Sequence, residues 1–199
     1  MKVLLLAGDY VEDYEFYAPM KALEMLDIDV HVVCPDKKAG DNIQTCLHFI
    51  EEWQTYSERP GHPFQLNYTF ADIKIGDYAG LVIGGGRFPE YQRYDQRVLD
   101  IVRYFFDKNL PVATICHGIQ ILSAAGVLKG RSCSAFSMCK LDVIAGGGEY
   151  VHFEVSSKSA HVDGNLVSAP AYPAIGVWMR EFIKLLGVKI QFVSNKLTT

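Results

Sequence analysis

A cysteine at a sharp turn is the most reactive feature of this sequence. The apolar run 111–115 predicts a buried strand, and Cys116, His117 and Gly118 follow it directly, before an amphipathic helical pattern begins. This order of strand, turn and helix is that of a nucleophile elbow, with sulfur in place of the serine oxygen. Because the N–H groups and dipole of the following helix favour an anion, we expect the Cys116 thiol to ionise below its usual pKa of about 8.5. The alternative is a buried structural cysteine.

Four acidic residues lie where the first apolar run, 3–7, gives way to a helical pattern: Asp9, Glu12, Asp13 and Glu15. Some of them are expected to cap that helix. The first strand of a doubly wound sheet is central, however, so its carboxyl end borders the same crevice as the elbow. A carboxylate at Glu15 would be desolvated and repelled by a thiolate, which raises its pKa. A protonated Glu15 could then donate a hydrogen bond to the sulfur or move protons.

Three consecutive glycines, Gly84, Gly85 and Gly86, follow the apolar run 80–83. They do not form a dinucleotide-binding fingerprint, because Pro89 stands where the third glycine of that motif is needed. Two interpretations remain open. The glycines form a tight strand-to-helix loop, or their backbone N–H groups point into the crevice and bind an oxyanion.

Other motifs favour structural roles. The glycines at 146–148 predict a turn. His152 and Glu154, two residues apart, are expected to form a surface pair. Five cysteines, at positions 34, 46, 116, 133 and 139, form an odd set without a CxxC pair, which predicts reduced thiols. Cysteines and histidines are too scattered for zinc, so we expect no metal.

The elements that position these residues alternate along the chain. Continuous apolar runs at 3–7, 30–34, 80–83, 112–115 and 166–169 predict parallel strands that are buried on both faces. Helical patterns are found at 15–26, 96–106, 119–125 and 175–186. This alternation predicts an α/β fold with a doubly wound, mostly parallel sheet between helices. Residues 36–78 predict a small inserted hairpin, with strands near 45–50 and 64–70, that could cover the site. We expect a single domain over 1–199.

The composition narrows the possible partners and compartments. The chain has 199 residues, of which 49% are hydrophobic, and a formal net charge of −4. That charge argues against binding to nucleic acid or to an anionic membrane surface. No apolar run approaches the ~18 residues of a membrane helix, and the apolar N-terminal run is too short for a signal peptide. We therefore expect a cytoplasmic protein.

Several motifs in order resemble one family over some 170 residues. The segments KVLLLAGDYVEDYEFYAP, LVIGGGRFPEY, PVATICHGIQIL and VDGNLVSAPA are similar to the ThiJ/PfpI superfamily, which has the flavodoxin-like, class I glutamine amidotransferase-like fold. Within it, HVVCPDKKAGD and QTYSERPGHPFQLNYTFAD resemble the plant-type, glutathione-independent glyoxalases.

The resemblance implies a role for each matching residue. Cys116 matches the nucleophile, and His117 the histidine that follows it. Glu15 matches the buried acid that hydrogen-bonds the cysteine. Glu90 matches the acid that pairs with the histidine, in some members across a subunit contact. The backbone amides of Gly86 and His117 match the oxyanion hole.

Two departures from the family pattern concern the pocket. Gly84 stands where the family usually has proline. Ala174 and Ile175 stand where plant-type members have His-Pro, which alters one contact of the pocket wall.

The resemblance implies conversion of methylglyoxal to lactate through a hemithioacetal on Cys116, with no cofactor. The implied partners are a small aldehyde and further copies of the chain, in a dimer, trimer or hexamer. Three alternatives use the same fold. They are a PfpI-type cysteine peptidase or deglycase, a non-enzymatic redox-sensing chaperone, and an amidotransferase domain that uses His152 and Glu154. Only a catalytic role requires the additional pair His117 and Glu90, which sensing does not need.

Overall fold

The computed structural model describes residues 1–49 and 53–191. The strands of this part of the chain are β1 (Lys2–Leu6), β2 (Val11–Glu12), β3 (Asp29–Val33), β4 (Asn42–Phe49), β5 (Ser57–Gln65), β6 (Gly80–Ile83), β7 (Val112–Ile115), β8 (Ser132–Cys133), β9 (Glu149–Tyr150), β10 (His161–Asp163) and β11 (Leu166–Ala169). The α-helices are α1 (Asp13–Glu24), α2 (Phe88–Gln92), α3 (Gln96–Asp107), α4 (Ile119–Ala125), α5 (Lys140–Ala145) and α6 (Ile175–Leu185).

The main sheet has six strands in the order β10-β11-β7-β6-β1-β3. Its neighbouring strands are parallel except for β10, which pairs antiparallel with β11 at one edge. Every residue of β6, β7 and β11 is buried, as expected for strands that helices cover on both faces. Helices α1 and α6 contact each other on one face, and α3 and α4 on the other. The predicted doubly wound α/β fold is confirmed.

The predicted elements of the main sheet agree with the structure to within one or two residues. The runs at 80–83, 112–115 and 166–169 are β6, β7 and β11, and the helical pattern at 119–125 is α4. Two short helices, α2 and α5, were not predicted. They have five and six residues, too few for an amphipathic repeat to be visible in the sequence.

The inserted hairpin is present, but its second strand was misplaced. Strand β4 pairs antiparallel with β5, and β2 adds to the other side of β4, in parallel. The prediction for the second strand, 64–70, is wrong because β5 ends at Gln65. Strand β5 contains Pro60 and Pro63, which a central strand excludes but an edge strand tolerates. Position 50, the predicted end of the first strand, lies outside the described residues.

No helix within residues 1–49 and 53–191 is long and apolar enough to cross a membrane.

Candidate active site

Cys116 lies at the turn between β7 and α4. Its φ is +57°, a left-handed conformation that residues other than glycine rarely adopt. The turn is a single 3₁₀ helix, Cys116–Gly118, that leads directly into α4. A strained backbone that persists at such a turn typically marks a functional residue. The local geometry is therefore that of a nucleophile elbow.

Glu15 lies beside this cysteine in the first turn of α1. Its Oε2 accepts a hydrogen bond from the backbone N–H of Gly85 at 3.0 Å, and its carboxyl group also hydrogen-bonds Cys116. Burial, followed by the nearby carboxyl group of Glu12, raises the pKa of Glu15 well above its usual value. Burial therefore favours the protonated form of Glu15, in agreement with the raised pKa that the sequence predicted; its role as a hydrogen-bond donor to the sulfur stays a prediction.

The glycine loop after β6 lets these two side chains approach each other. A Cβ atom at Gly85 would collide with Oε2 of Glu15 and lie only 2.6 Å from the Cβ of Cys116. A side chain at this position would therefore separate Glu15 from Cys116. The close approach of backbone to two reactive groups explains why glycine is needed here.

The prediction that the Cys116 thiol has a lowered pKa is wrong for this closed site. Burial raises the pKa of Cys116 well above its usual value, and the carboxyl group of Glu15 raises it further. The backbone N–H of His117 acts in the opposite direction but has a smaller effect. Helix α4 has only seven residues, so its dipole does not compensate for the loss of water around the sulfur. The resting nucleophile is a thiol that needs a base.

His117 provides a base at the right distance. Its Nδ1 lies 3.2 Å from Sγ of Cys116. The ring is stacked on Phe136, with the centroids 5.2 Å apart, and the edge of Tyr56 packs against it. Burial lowers the pKa of His117 to about 4, and the nearby His48 contributes to this shift. The imidazole is therefore neutral and can accept the thiol proton.

Glu90 does not contact this histidine within the described part of the chain. It lies on α2, its side chain is 41% exposed, and its Oε1 lies 3.4 Å from Nη1 of Arg87. Arg87 also binds Glu58, with Nε 3.1 Å from Oε2. The pairing of Glu90 with His117, which the resemblance implies, stays a prediction.

The resemblance assigns the backbone amides of Gly86 and His117 to the oxyanion hole. The N–H of His117 hydrogen-bonds Cys116. Gly86 has φ +88° and forms an isolated bridge with Val11, in which the hydrogen bonds are made by the neighbouring residues Gly85 and Arg87. This arrangement leaves the Gly86 amide available for an oxyanion, and its role stays a prediction.

The cavity over Cys116 is small. Its volume is about 10 Å³, which is roughly the room that one water molecule needs. The residues that line it are Glu15, His48, Tyr56, Cys116, Phe136, Ala171 and Tyr172. Tyr56 and Tyr172, which form part of its wall, are half-buried. Ala174, at the position of a family departure, is buried at the start of α6 and does not line the cavity.

The sequence did not identify His48, Tyr56, Phe136 or Tyr172 as site residues. The hairpin β4–β5 carries His48 and Glu58 to the site over a long distance in sequence. The predicted insertion was the only signal of this arrangement, and it did not show which side chains face the cysteine.

A cluster of possible metal ligands lies next to this cavity. Sγ of Cys46, Nε2 of His48 and a carboxylate oxygen of Glu58 all lie within 4.8 Å of one another, and these types of ligand suit zinc. Hydrogen bonds already account for the group. Sγ of Cys46 donates to the carbonyl of Tyr10 at 3.2 Å, and Nε of Arg87 donates to both oxygens of Glu58. Because the Arg87 guanidinium already neutralises Glu58, we interpret the cluster as a hydrogen-bond network.

The remaining candidate groups lie away from the site or are inert. His152 and Glu154 form an exposed ion pair, with Nε2 3.0 Å from Oε1. They do not line the cavity. Cys34, Cys46, Cys133 and Cys139 are buried free thiols, and burial raises their pKa values.

Comparison with known proteins identifies the family. The DJ-1/PfpI family model matches residues 1–185. The chain belongs to the DJ-1/PfpI family. It is 46% identical to Protein DJ-1 homolog D of Arabidopsis thaliana over 191 residues, which are 96% of this chain and 49% of that protein. It is also 35% identical to Deglycase PfpI of Pyrococcus furiosus, over 94% of this chain and 99% of that protein.

Solved structures of proteins named for the same family share this fold. The ThiJ/PfpI domain protein of Brachyspira murdochii superposes with a TM-score of 0.76 at 18% identity, over 94% of this chain and 95% of that one. DJ-1 of Schizosaccharomyces pombe gives a TM-score of 0.76 at 16% identity, over 95% and 93% of the two chains. The chain spans about half the length of its Arabidopsis relatives, but nearly the whole length of the Pyrococcus proteins.

Proposed function

We propose that this protein is a glutathione-independent glyoxalase that converts methylglyoxal, or another small 2-oxoaldehyde, to the 2-hydroxy acid. One observation carries the proposal: the buried thiol of Cys116 lies beside both the carboxyl group of Glu15, whose pKa burial raises, and Nδ1 of His117, whose pKa burial lowers. This arrangement supplies the proton transfers that the isomerisation of an oxoaldehyde requires, with no redox partner.

The first step forms a hemithioacetal. Nδ1 of His117 takes the proton of Cys116 while Sγ attacks the aldehyde carbon, C1. The new oxyanion is held by the amides of Gly86 and His117 and receives the proton of Glu15. Glu15 is then a carboxylate beside the C1–H bond.

The second step moves hydrogen from C1 to C2. The Glu15 carboxylate takes the C1 proton to give an enediol and returns it to C2, while the hydroxyl proton passes from the first oxygen to the second. The product is a lactoyl thioester on Cys116. Water then hydrolyses this thioester: its hydroxide forms the acid, its proton restores Glu15, and Sγ recovers its proton from His117. No external oxidant or reductant is consumed.

A deglycase is the second candidate, because a relative that matches over almost its full length is named Deglycase PfpI. Such a reaction would use the same thiol on a larger substrate. The cavity holds about one water molecule, so any substrate must open its wall, and a small aldehyde needs less room than a glycated side chain or the extended chain that a peptidase binds.

Two further readings have less support. A redox-sensing chaperone would need only a thiol that oxidises readily, and the raised pKa of Cys116 opposes that chemistry. An amidotransferase would need a histidine–glutamate pair from late in the chain beside the cysteine, whereas His152 and Glu154 form a surface pair and do not line the cavity.

The deciding experiment incubates the purified protein with methylglyoxal in the absence of glutathione and measures each lactate enantiomer. We expect lactate from the wild type and none from Cys116→Ala. Cys34→Ala and Cys133→Ala are matched controls, because both replace buried free thiols that do not line the cavity. They should retain activity. Release of an amine from glycated peptides without lactate formation would instead support the deglycase.

A further inference from the structure

We propose that His48, held by Glu58, is the general base that activates the water which hydrolyses the thioester on Cys116. This assignment rests on the proposed function in that a thioester must form. It adds a residue from the hairpin to the reaction, beyond the four that the sequence resemblance implies.

The position of His48 is the first argument. Its ring lines the same cavity as Cys116 and Glu15, and its side chain is only 6% exposed. The ring packs on Tyr56 with the centroids 4.3 Å apart. A water molecule that attacks a thioester in this cavity therefore meets the imidazole on its wall.

The orientation of His48 is the second argument. Its Nε2 lies 3.3 Å from Oε2 of Glu58, and both oxygens of that carboxylate accept from Nε of Arg87. An anchored carboxylate at Nε2 fixes the tautomer in which Nε2 carries the hydrogen, so Nδ1 keeps a free lone pair. Within residues 1–49 and 53–191, the His48 ring makes its polar contacts through Nε2, with Glu58 and with Sγ of Cys46, so we assign the acceptance of the water proton to Nδ1.

The other bases of the site are already committed at this stage. His117 has taken the proton of Cys116 in the first step and must return it to the departing sulfur. Glu15 is a carboxylate at this stage, but its Oε2 is held by the backbone N–H of Gly85, and Glu15 is the group that finally receives the water proton. Among the residues that line the cavity, His48 is the remaining side chain that is a neutral base.

The step balances with these groups. His48 takes one proton from water while the hydroxide adds to C1, and the C1–S bond then breaks. Sγ leaves with the proton held by His117. His48 returns its proton to the Glu15 carboxylate through the cavity that the two residues share, which restores the resting site.

The test uses His48→Gln with methylglyoxal. We expect a lactoyl group to accumulate on Cys116, seen as an added mass on the intact protein after acid quench, and lactate release to fall roughly 10²–10⁴-fold. Glu58→Gln should accumulate the same adduct with a smaller loss of turnover. His152→Gln is the matched control, because this histidine also pairs with a glutamate but is exposed, and it should behave as the wild type.

A second substrate separates this proposal from the glyoxalase reaction. p-Nitrophenyl acetate acylates a thiol without any isomerisation, so the wild type should turn it over while His48→Gln stops after one equivalent of p-nitrophenol. If His48→Ala folds, free imidazole should restore hydrolysis in it. If these results are obtained but the wild type forms no lactate from methylglyoxal, the role of His48 as general base is kept and the glyoxalase function is rejected.

Three results would overturn the role of His48. One is hydrolysis of the acyl group in the folded His48→Gln variant at the wild-type rate. Another is a variant that forms no acyl group at all, which would place His48 before the thioester. The third is a wild-type protein that neither substrate acylates on Cys116.

Discussion

At the scale of single residues, the site depends on two buried acids that share one apolar space. Glu15 and Cys116 hydrogen-bond each other, and burial raises the pKa of both. Because each negative charge opposes the other, the two groups do not ionise together. The carboxyl proton is thus available for the substrate oxygen, and the thiol proton for His117. Proton transfer during the reaction, rather than a preformed thiolate, activates the sulfur.

Glu15→Gln tests this division of roles. The amide keeps a hydrogen-bond donor for the sulfur but cannot exchange a proton, so we expect lactate production to fall by 10²-fold or more. The rate of Cys116 alkylation against pH should shift only modestly. Retention of most lactate production in this variant would remove Glu15 from the proposed mechanism.

Gly85→Ala tests the close approach of the two groups. The added methyl group must displace Glu15 or the Cβ of Cys116, so we expect loss of lactate production and a free energy of unfolding lower by about 1–3 kcal/mol. Gly176→Ala is a suitable control, because nothing lies within 4 Å of a Cβ at that position. Chemical denaturation and the lactate assay measure both effects. A Gly85→Ala protein as active as the wild type would contradict the geometry.

At the scale of elements, the start of α1 links the helix cap to the site. Oε2 of Glu12 accepts the backbone N–H of Glu15 at 2.8 Å and so caps the helix that carries Glu15. This cap was among those that the acidic stretch predicted. Burial is the largest cause that raises the pKa of Glu12, from 4.5 to about 7. The helix is therefore capped by a carboxyl group that resists ionisation.

The Glu12→Gln variant tests how the raised pKa of Glu12 makes the stability of the protein depend on pH. Because the pKa of Glu12 is higher in the folded protein, its contribution to stability is complete below pH 4.5 and is lost as the pH rises through about 7. The glutamine variant keeps an acceptor oxygen but cannot ionise. We expect it to match the wild type near pH 4.5 and to exceed it by on the order of 1–3 kcal/mol at pH 8. Urea unfolding at several pH values measures the difference. If the free energies of unfolding of the wild type and the variant change with pH in parallel, the prediction is wrong.

The sequence predicted the central elements well and the hairpin less well, for physical reasons. Strands such as β6 and β7 are buried on both faces, so their apolar runs are continuous and easy to recognise. Strand β5 pairs on one side only and carries Pro60 and Pro63, which removes the usual pattern. The local pattern of strand, turn and helix was enough to predict the position of Cys116. His48 and Glu58 reach it through hairpin pairing, which local sequence does not encode, and the pKa of Cys116 depends on burial that only the folded chain provides.

At the scale of the whole molecule, the family relationship does not define how many copies of the chain associate. The chain corresponds to about half of each Arabidopsis relative and to nearly all of the Pyrococcus deglycases. We propose that the whole chain, 1–199, acts as one domain in the cytoplasm and associates with further copies of itself. The exposed side chain of Glu90 is the specific reason to expect the association.

Glu90 provides the test of that association. Its half-exposed carboxylate pairs only weakly with Arg87 within the chain, and a second subunit could bring it to a histidine such as His117. We expect light scattering to show a homo-oligomer, and lactate production per chain to fall when dilution dissociates it. Glu90→Gln should lower turnover in the oligomer, whereas Glu154→Gln, which changes a more exposed member of an ion pair, should not. A fully active monomer would mean that Glu90 acts within its own chain, through Arg87 and Glu58, or not at all.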